Sequence, residues 1–245
     1  MRLSILVAIA LLSSAAPSRA QTRADLSGHW DGGIHTPEIS ISIQVDFTSD
    51  SAGQLAGTIS VPPQNLKGLP LVIESAEGQT IHFRFKGAPG NRLFQGVISE
   101  DGGSIRGSFI QSGYTMPFTL SRAGAAQIEA PVRSAPISKE LEGPWSATLE
   151  GTYQNGIPRK IILMLENQPD GTSTGSVFNQ GEGLEIPIAS ITQNASNVTL
   201  DLRAVSGSYS GKVNTEGTEM VGTFIQGTTV LPLTFRRAPG VESAK

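Results

Sequence analysis

The chain has 245 residues, enough for one large domain or two of ordinary size. Only 16% of its residues are charged and the net charge is −3, so it has no basic field with which to hold a nucleic acid. It has no cysteine, which excludes disulfides and thiolate metal sites, and its 28 Gly and 15 Pro predict many turns and few long helices.

Residues 1–20 read as a secretory signal. Arg2 supplies the positive start, Leu3 to Leu12 is apolar apart from Ser4, and Ser18-Arg19-Ala20 places small residues where a signal peptidase cuts. The apolar run is far shorter than the roughly 20 residues that span a bilayer, so no transmembrane segment is expected. Cleavage near Ala20 would release an extracytoplasmic chain, secreted or periplasmic.

From residue 26 the pattern is one of strands. Ile39, Ile41, Ile43, Val45 and Phe47 alternate with polar residues, as do Ile81, Phe83 and Phe85, and then Met116, Phe118 and Leu120. Turn signals divide residues 26–123 into eight short strands, near 28–34, 38–48, 54–61, 69–75, 79–86, 92–99, 104–111 and 114–122. Short connections favour an antiparallel meander, and eight such strands can close into a barrel without exposed edges. A two-sheet sandwich is the alternative. Residues 124–140, small and broken by Pro131 and Pro136, read as a linker.

The rest of the chain repeats the first part. Leu26-Ser27-Gly28-His29-Trp30 returns as Leu141-Glu142-Gly143-Pro144-Trp145, 115 residues on. Phe109-Ile110-Gln111, Pro117 and Arg122-Ala123 return at the same offset as Phe224-Ile225-Gln226, Pro232 and Arg237-Ala238. The spacing drifts between these anchors and returns, which is how compensating changes in turn length behave. The expectation is therefore an all-β protein with two tandem eight-strand meander barrels, at 26–123 and 141–238, followed by a tail at 239–245.

Closure pairs the last strand of each copy with the first. By parity Arg122 then faces Trp30, and Arg237 faces Trp145, each pair plugging one barrel end through a cation–π contact. Ligand entry falls to the other end, where His35, Gln111, Tyr114 and Gln226 are the candidate mouth residues. The Gly-x-Trp start with a late Arg resembles lipocalin-like and avidin-like barrels, in which that motif is structural.

Catalytic and metal motifs are weak. Gly171-Thr172-Ser173-Thr174-Gly175 has the spacing of a nucleophile elbow but sits in a turn between strands, and the second copy has no His to act as base. Ser173 is therefore expected to be an ordinary turn residue that can be replaced without effect. His29, His35 and His82 lack zinc-site spacing, so no metal or cofactor is expected.

The ordered set Gly143-x-Trp145, Asp170-Gly171, Ile186-Pro187-Ile188, Tyr209-Ser210-Gly211, Glu216-Gly217, Gly222-Thr223-Phe224-x-Gln226-Gly227 and Leu231-Pro232-Leu233-x-x-Arg236 supports a further comparison. It resembles the N-terminal β-domain that precedes the catalytic domain in many secreted bacterial α/β-hydrolases of the esterase and peptidase type. That family's catalytic residues match nothing in this sequence. The resemblance implies an exported, non-catalytic accessory or interaction protein, with an exported hydrolase as its partner. A pair of barrels binding a small apolar ligand is the second expectation. A hydrolase working through unrecognised residues is the third.

Overall fold

The computed structural model describes residues 24–87, 92–129, 132–149 and 158–238. The signal segment 1–20 and the tail 239–245 lie outside the described residues. Among the described residues every regular element apart from two short 3₁₀ turns is a strand.

In the first copy, β1 (Gly28–His35), β2 (Ser40–Ser49), β3 (Leu55–Val61), β4 (Leu66–Glu77), β5 (Thr80–Phe85), β6 (Leu93–Ile98), β7 (Ser104–Gln111) and β8 (Tyr114–Gly124) form a closed antiparallel barrel. Each strand pairs with the next, and β8 returns to β1 with Trp30 opposite Arg122 and Ile34 opposite Phe118. The alternation seen in the sequence is the reason. On β2, Ile43, Val45 and Phe47 are fully buried, and on β5 Ile81 and Phe83 are likewise.

The centre of this barrel is aromatic. Phe83 stacks on Phe94 at 4.7 Å between ring centroids, and Phe118 meets Phe94 edge-on at 5.1 Å. Phe109 and Phe47 extend the cluster at 4.5 Å from Phe94 and 5.4 Å from Phe83. Rings at these separations fill the interior and add about 0.5–1.5 kcal/mol per pair beyond the area they bury.

The second copy departs from the expected eight strands. It comprises β9 (Gly143–Leu149), β10 (Arg159–Asn167), β11 (Ser173–Asn179), β12 (Leu184–Pro187), β13 (Ser190–Asn194), β14 (Asn197–Leu202), β15 (Gly207–Val213), β16 (Glu219–Gln226) and β17 (Thr229–Arg237). β12 and β13 are the two halves of one bent strand, the counterpart of β4. The bend follows Pro187, although Pro70 at the equivalent place does not interrupt β4. The next two amides then turn to opposite neighbours, Ile188 to the Gly175 carbonyl at 3.0 Å and Ala189 to the Asp201 carbonyl at 2.7 Å. The sheet therefore runs from β12 round to β13, curled but open along the lower half of the bend.

The segment between the copies closes that gap. Ser134 bridges to Ser173 on β11, its carbonyl accepting the Ser173 N–H at 3.0 Å, while its hydroxyl accepts the Ile191 N–H of β13 at 2.8 Å. The Ile137 N–H bonds the Asn167 side chain, the Ser138 N–H bonds Gln193, and Ile137 and Leu141 enter the second core. Residues 132–141 are part of the second barrel rather than a free linker.

Ser173 differs from the sequence reading for the same reason. It is 4% exposed and its hydroxyl donates to the Ala135 carbonyl at 2.7 Å. It anchors the connecting segment, and the turn proper is held by Asp170, which accepts from the Thr172 N–H and hydroxyl and is thereby kept below the usual carboxylate range.

The two barrels are packed together. The Glu185 N–H donates to the Lys86 carbonyl at 3.1 Å, Lys86 pairs with Glu185 at 2.9 Å, and Gly87 bridges to Leu184. Arg92 reaches across to the Glu182 carbonyl at 2.8 Å. Burial holds the Arg92 guanidinium below its usual value, with Glu182 pulling the other way. Leu66 packs against both cores.

Candidate functional site

The two ends of each barrel are built differently, and the Trp–Arg pairs define the closed one. The Arg122 guanidinium carbon lies 4.2 Å from the centre of the Trp30 ring, and that of Arg237 4.1 Å from Trp145. Each guanidinium also donates to three main-chain carbonyls: Asp25, Ser27 and Gly102 in the first copy, Glu140, Glu142 and Gly217 in the second. Each indole N–H is taken by the carbonyl four residues earlier, Leu26 at 3.0 Å and Leu141 at 2.8 Å. One planar cation thus ties the incoming chain, a hairpin and the plug together, a geometry that a lysine does not provide.

At the opposite end the copies diverge. The interior of the second barrel contains a cavity of about 310 Å³. Its cause can be read by aligning the copies through their strand pairing. Phe83 opposes Phe94 in the first barrel, and Leu200 opposes Tyr209 in the second. Phe85 corresponds in the same way to Leu202, and Phe118 to Leu233. Phe47, opposite Gly28, likewise corresponds to Leu165, opposite Gly143. Four rings are replaced by four leucines, and three of those leucines, Leu200, Leu202 and Leu233, line the cavity. In the other direction a ring is gained at Phe235, the counterpart of Leu120. Lost ring volume that neighbours do not refill remains as space.

The cavity floor is sealed by Tyr209. Its hydroxyl donates towards the carbonyls of Met220 at 3.1 Å and Leu233 at 3.2 Å, and its ring packs edge-on to Phe235 at 5.1 Å. Gly222 makes this possible: a Cβ there would lie 2.3 Å from the Ser210 carbonyl and 2.6 Å from the Tyr209 hydroxyl. Burial pushes the Tyr209 hydroxyl pKa up, so it stays a neutral donor.

The mouth is polar and shared between the barrels. Arg159 is ion-paired with Glu182, and with Asn179 and Gln226 they line its rim on the second barrel. Gln226 donates to the Val205 carbonyl at 2.7 Å. The first barrel contributes Gln64, from the 3₁₀ turn Pro62–Gln64, and Leu66 at the start of β4. The cavity wall is therefore completed across the domain seam.

Of the four residues expected at a barrel mouth, Gln226 lines the cavity and the other three do not. His35 has outward parity on β1. Its ring lies 2.9 Å from the Thr119 hydroxyl and 3.1 Å from that of Ser40, on the outer face. Gln111 and Tyr114 form the last pair of the β7–β8 hairpin, where Tyr114 is 75% exposed, and the barrel beneath them is filled by phenylalanines. The residues that matter most here, Leu200, Leu202 and Leu233, carry the same strand pattern as any core position; their signal lies in the repeat, where rings in one copy stand opposite leucines in the other.

His29 is a second feature that the sequence did not announce. It is 6% exposed and bonds Asp46 at 2.8 Å, while Asp46 also accepts the Gln127 N–H at 2.7 Å. The pair fastens the chain leaving β8 to the side of the first barrel. Among the described residues no group of three or more His, Asp or Glu is arranged to hold a metal ion.

No protein-family model matches the chain, and no curated protein matches it. Solved structures do. A protein of unknown function from the DUF3598 family of Nostoc punctiforme is 14% identical, with 87% of this chain and 96% of that one covered, at a TM-score of 0.25. A candidate outer membrane protein from Bacteroides fragilis is 11% identical, with 86% and 97% covered, at the same TM-score of 0.25. Among the described residues no helix is long and apolar enough to cross a membrane.

Proposed function

We propose that this is an exported, non-catalytic binding protein that holds one small apolar ligand in its second barrel. The observation that carries the reading is the 310 Å³ of unfilled, leucine-lined space in a barrel whose twin is packed with phenylalanine. A void of that size costs stability through lost contacts. An apolar ligand restores those contacts, and ligand sites of this kind are concave, mostly apolar and bounded by a few polar groups. A dry apolar cavity of about 150 Å³ holds a benzene ring, so by comparison this space suits a body of about ten carbons. The first barrel acts as a rigid base that supplies Gln64 and Leu66 to the rim. The hydrolase-module resemblance contributes no catalytic residue, and this reading requires none.

The test uses the first barrel as a template. N-phenyl-1-naphthylamine, an uncharged dye, should brighten on binding the full chain. Leu200→Phe restores the ring found at Phe83 and should abolish that signal while circular dichroism stays unchanged. Leu200→Met, which conserves volume, should retain it. A dye that never binds, or that binds Leu200→Phe equally well, would refute the proposal.

A further inference from the structure

The cavity separates polar from apolar groups along its length, and that separation restricts the ligand. Below the rim the lining is hydrocarbon: Ile161, Val177, Leu184, Leu200, Leu202 and Leu233 are representative. Among the described residues the polar side chain at depth is Tyr209, whose hydroxyl proton is already committed to the Met220 and Leu233 carbonyls. No buried side-chain nitrogen or oxygen among them lacks a partner, so the interior has no free side-chain donor, and its side-chain acceptor is the Tyr209 oxygen alone. The remaining polar lining groups among the described residues, Gln64, Arg159, Asn179, Glu182 and Gln226, belong to strand ends or turns on the side away from the Trp145–Arg237 plug.

We infer that the ligand is a single-headed amphiphile. An unsubstituted hydrocarbon tail of about ten carbons enters first and ends against Tyr209, and its one polar group stays among the rim side chains. This inference rests on the ligand-binding reading above and narrows it. Any second polar group on the tail would be stripped of water at a floor that has no free donor and only the Tyr209 oxygen to accept, and buried polar groups are costly unless fully paired. A ligand functionalised at both ends, or along its length, is therefore rejected.

Two alcohols that differ only in the far hydroxyl make the comparison: 1-decanol and 1,10-decanediol, titrated against dye bound to the full chain. Both can leave one hydroxyl at the rim, but the diol must bury the other. The expected result is displacement by 1-decanol at a concentration at least tenfold lower than by the diol. Equal potency, within threefold, would mean that the floor hydrates the second hydroxyl, and would overturn the single-head assignment while leaving ligand binding intact. Failure of both alcohols to displace a dye that Leu200→Phe does abolish would overturn the tail assignment in the same way. Absence of dye binding altogether would defeat the ligand-binding reading and this inference with it.

Discussion

Replacing Arg122 with Met should destabilise the first barrel by about 3 kcal/mol, and the structure says where that comes from. The stacking of the guanidinium on Trp30, at 4.2 Å, contributes about 0.5–2 kcal/mol. The three carbonyls it serves, on Asp25, Ser27 and Gly102, lose charge-assisted bonds that are worth about 1.5–3 kcal/mol each when buried. These carbonyls lie at a partly exposed barrel end, where water replaces much of that loss, so the sum stays well below the nominal total. Met keeps the apolar cover on Trp30 and isolates the polar part. Hydrogen exchange resolved by peptide is the suitable assay, because it reads the barrels separately. Protection in β1 and β8 should fall about a hundredfold, since 1.4 kcal/mol is tenfold, while β9 and β17 keep theirs. Arg122→Lys should recover only part of it, because one ammonium cannot both stack and reach three carbonyls. Full protection in Arg122→Lys, or a loss spread evenly over both barrels, would refute the account.

Ser173→Ala removes the bond to Ala135 and should cost about 1 kcal/mol, seen as faster proteolysis within residues 124–140. Gly222→Ala should destabilise the second barrel and weaken dye binding together, because the added methyl displaces the Tyr209 hydroxyl from the floor. Tyr209 also makes stability depend on pH: its folded pKa is raised above the unfolded value near 10, so its contribution is complete below that pH and is lost as pH rises. Denaturation midpoints measured upward from pH 9 should decline more steeply in the wild type than in Tyr209→Phe. Leu66→Ala, on the first barrel, should lower dye affinity in the second, and an unchanged affinity would remove Leu66 from the site.

Much of the fold was legible because period-2 alternation and turn residues act locally. Ile43, Val45 and Phe47 declare their inward face without reference to anything distant. The Trp30–Arg122 register followed from parity plus closure, two geometric rules that need no side-chain detail. What escaped the sequence were features that depend on packing between distant segments. The break after Pro187 could not be told from the unbroken strand around Pro70, since both sequences place a proline in an apolar run. Ser134 looks like any polar linker residue until β11 and β13 leave unpaired amides beside it. The cavity was harder still, because Leu200 and Leu233 are as good a core as Phe83 and Phe118 when counted by hydrophobicity. Only volume distinguishes them.

Ser134 also sets an order of events during folding. The first barrel closes with β8 using strands that all precede the connecting segment, so its sheet can form before the second copy is available. The second copy cannot do the reverse: its seam is stitched by Ser134 and its rim leans on Lys86, Gly87 and Leu66, all of which emerge earlier. The amino-terminal barrel is thus a mould against which its sibling sets, and exchanging the two copies along the chain would leave the carboxy-terminal one without the surface on which it is finished.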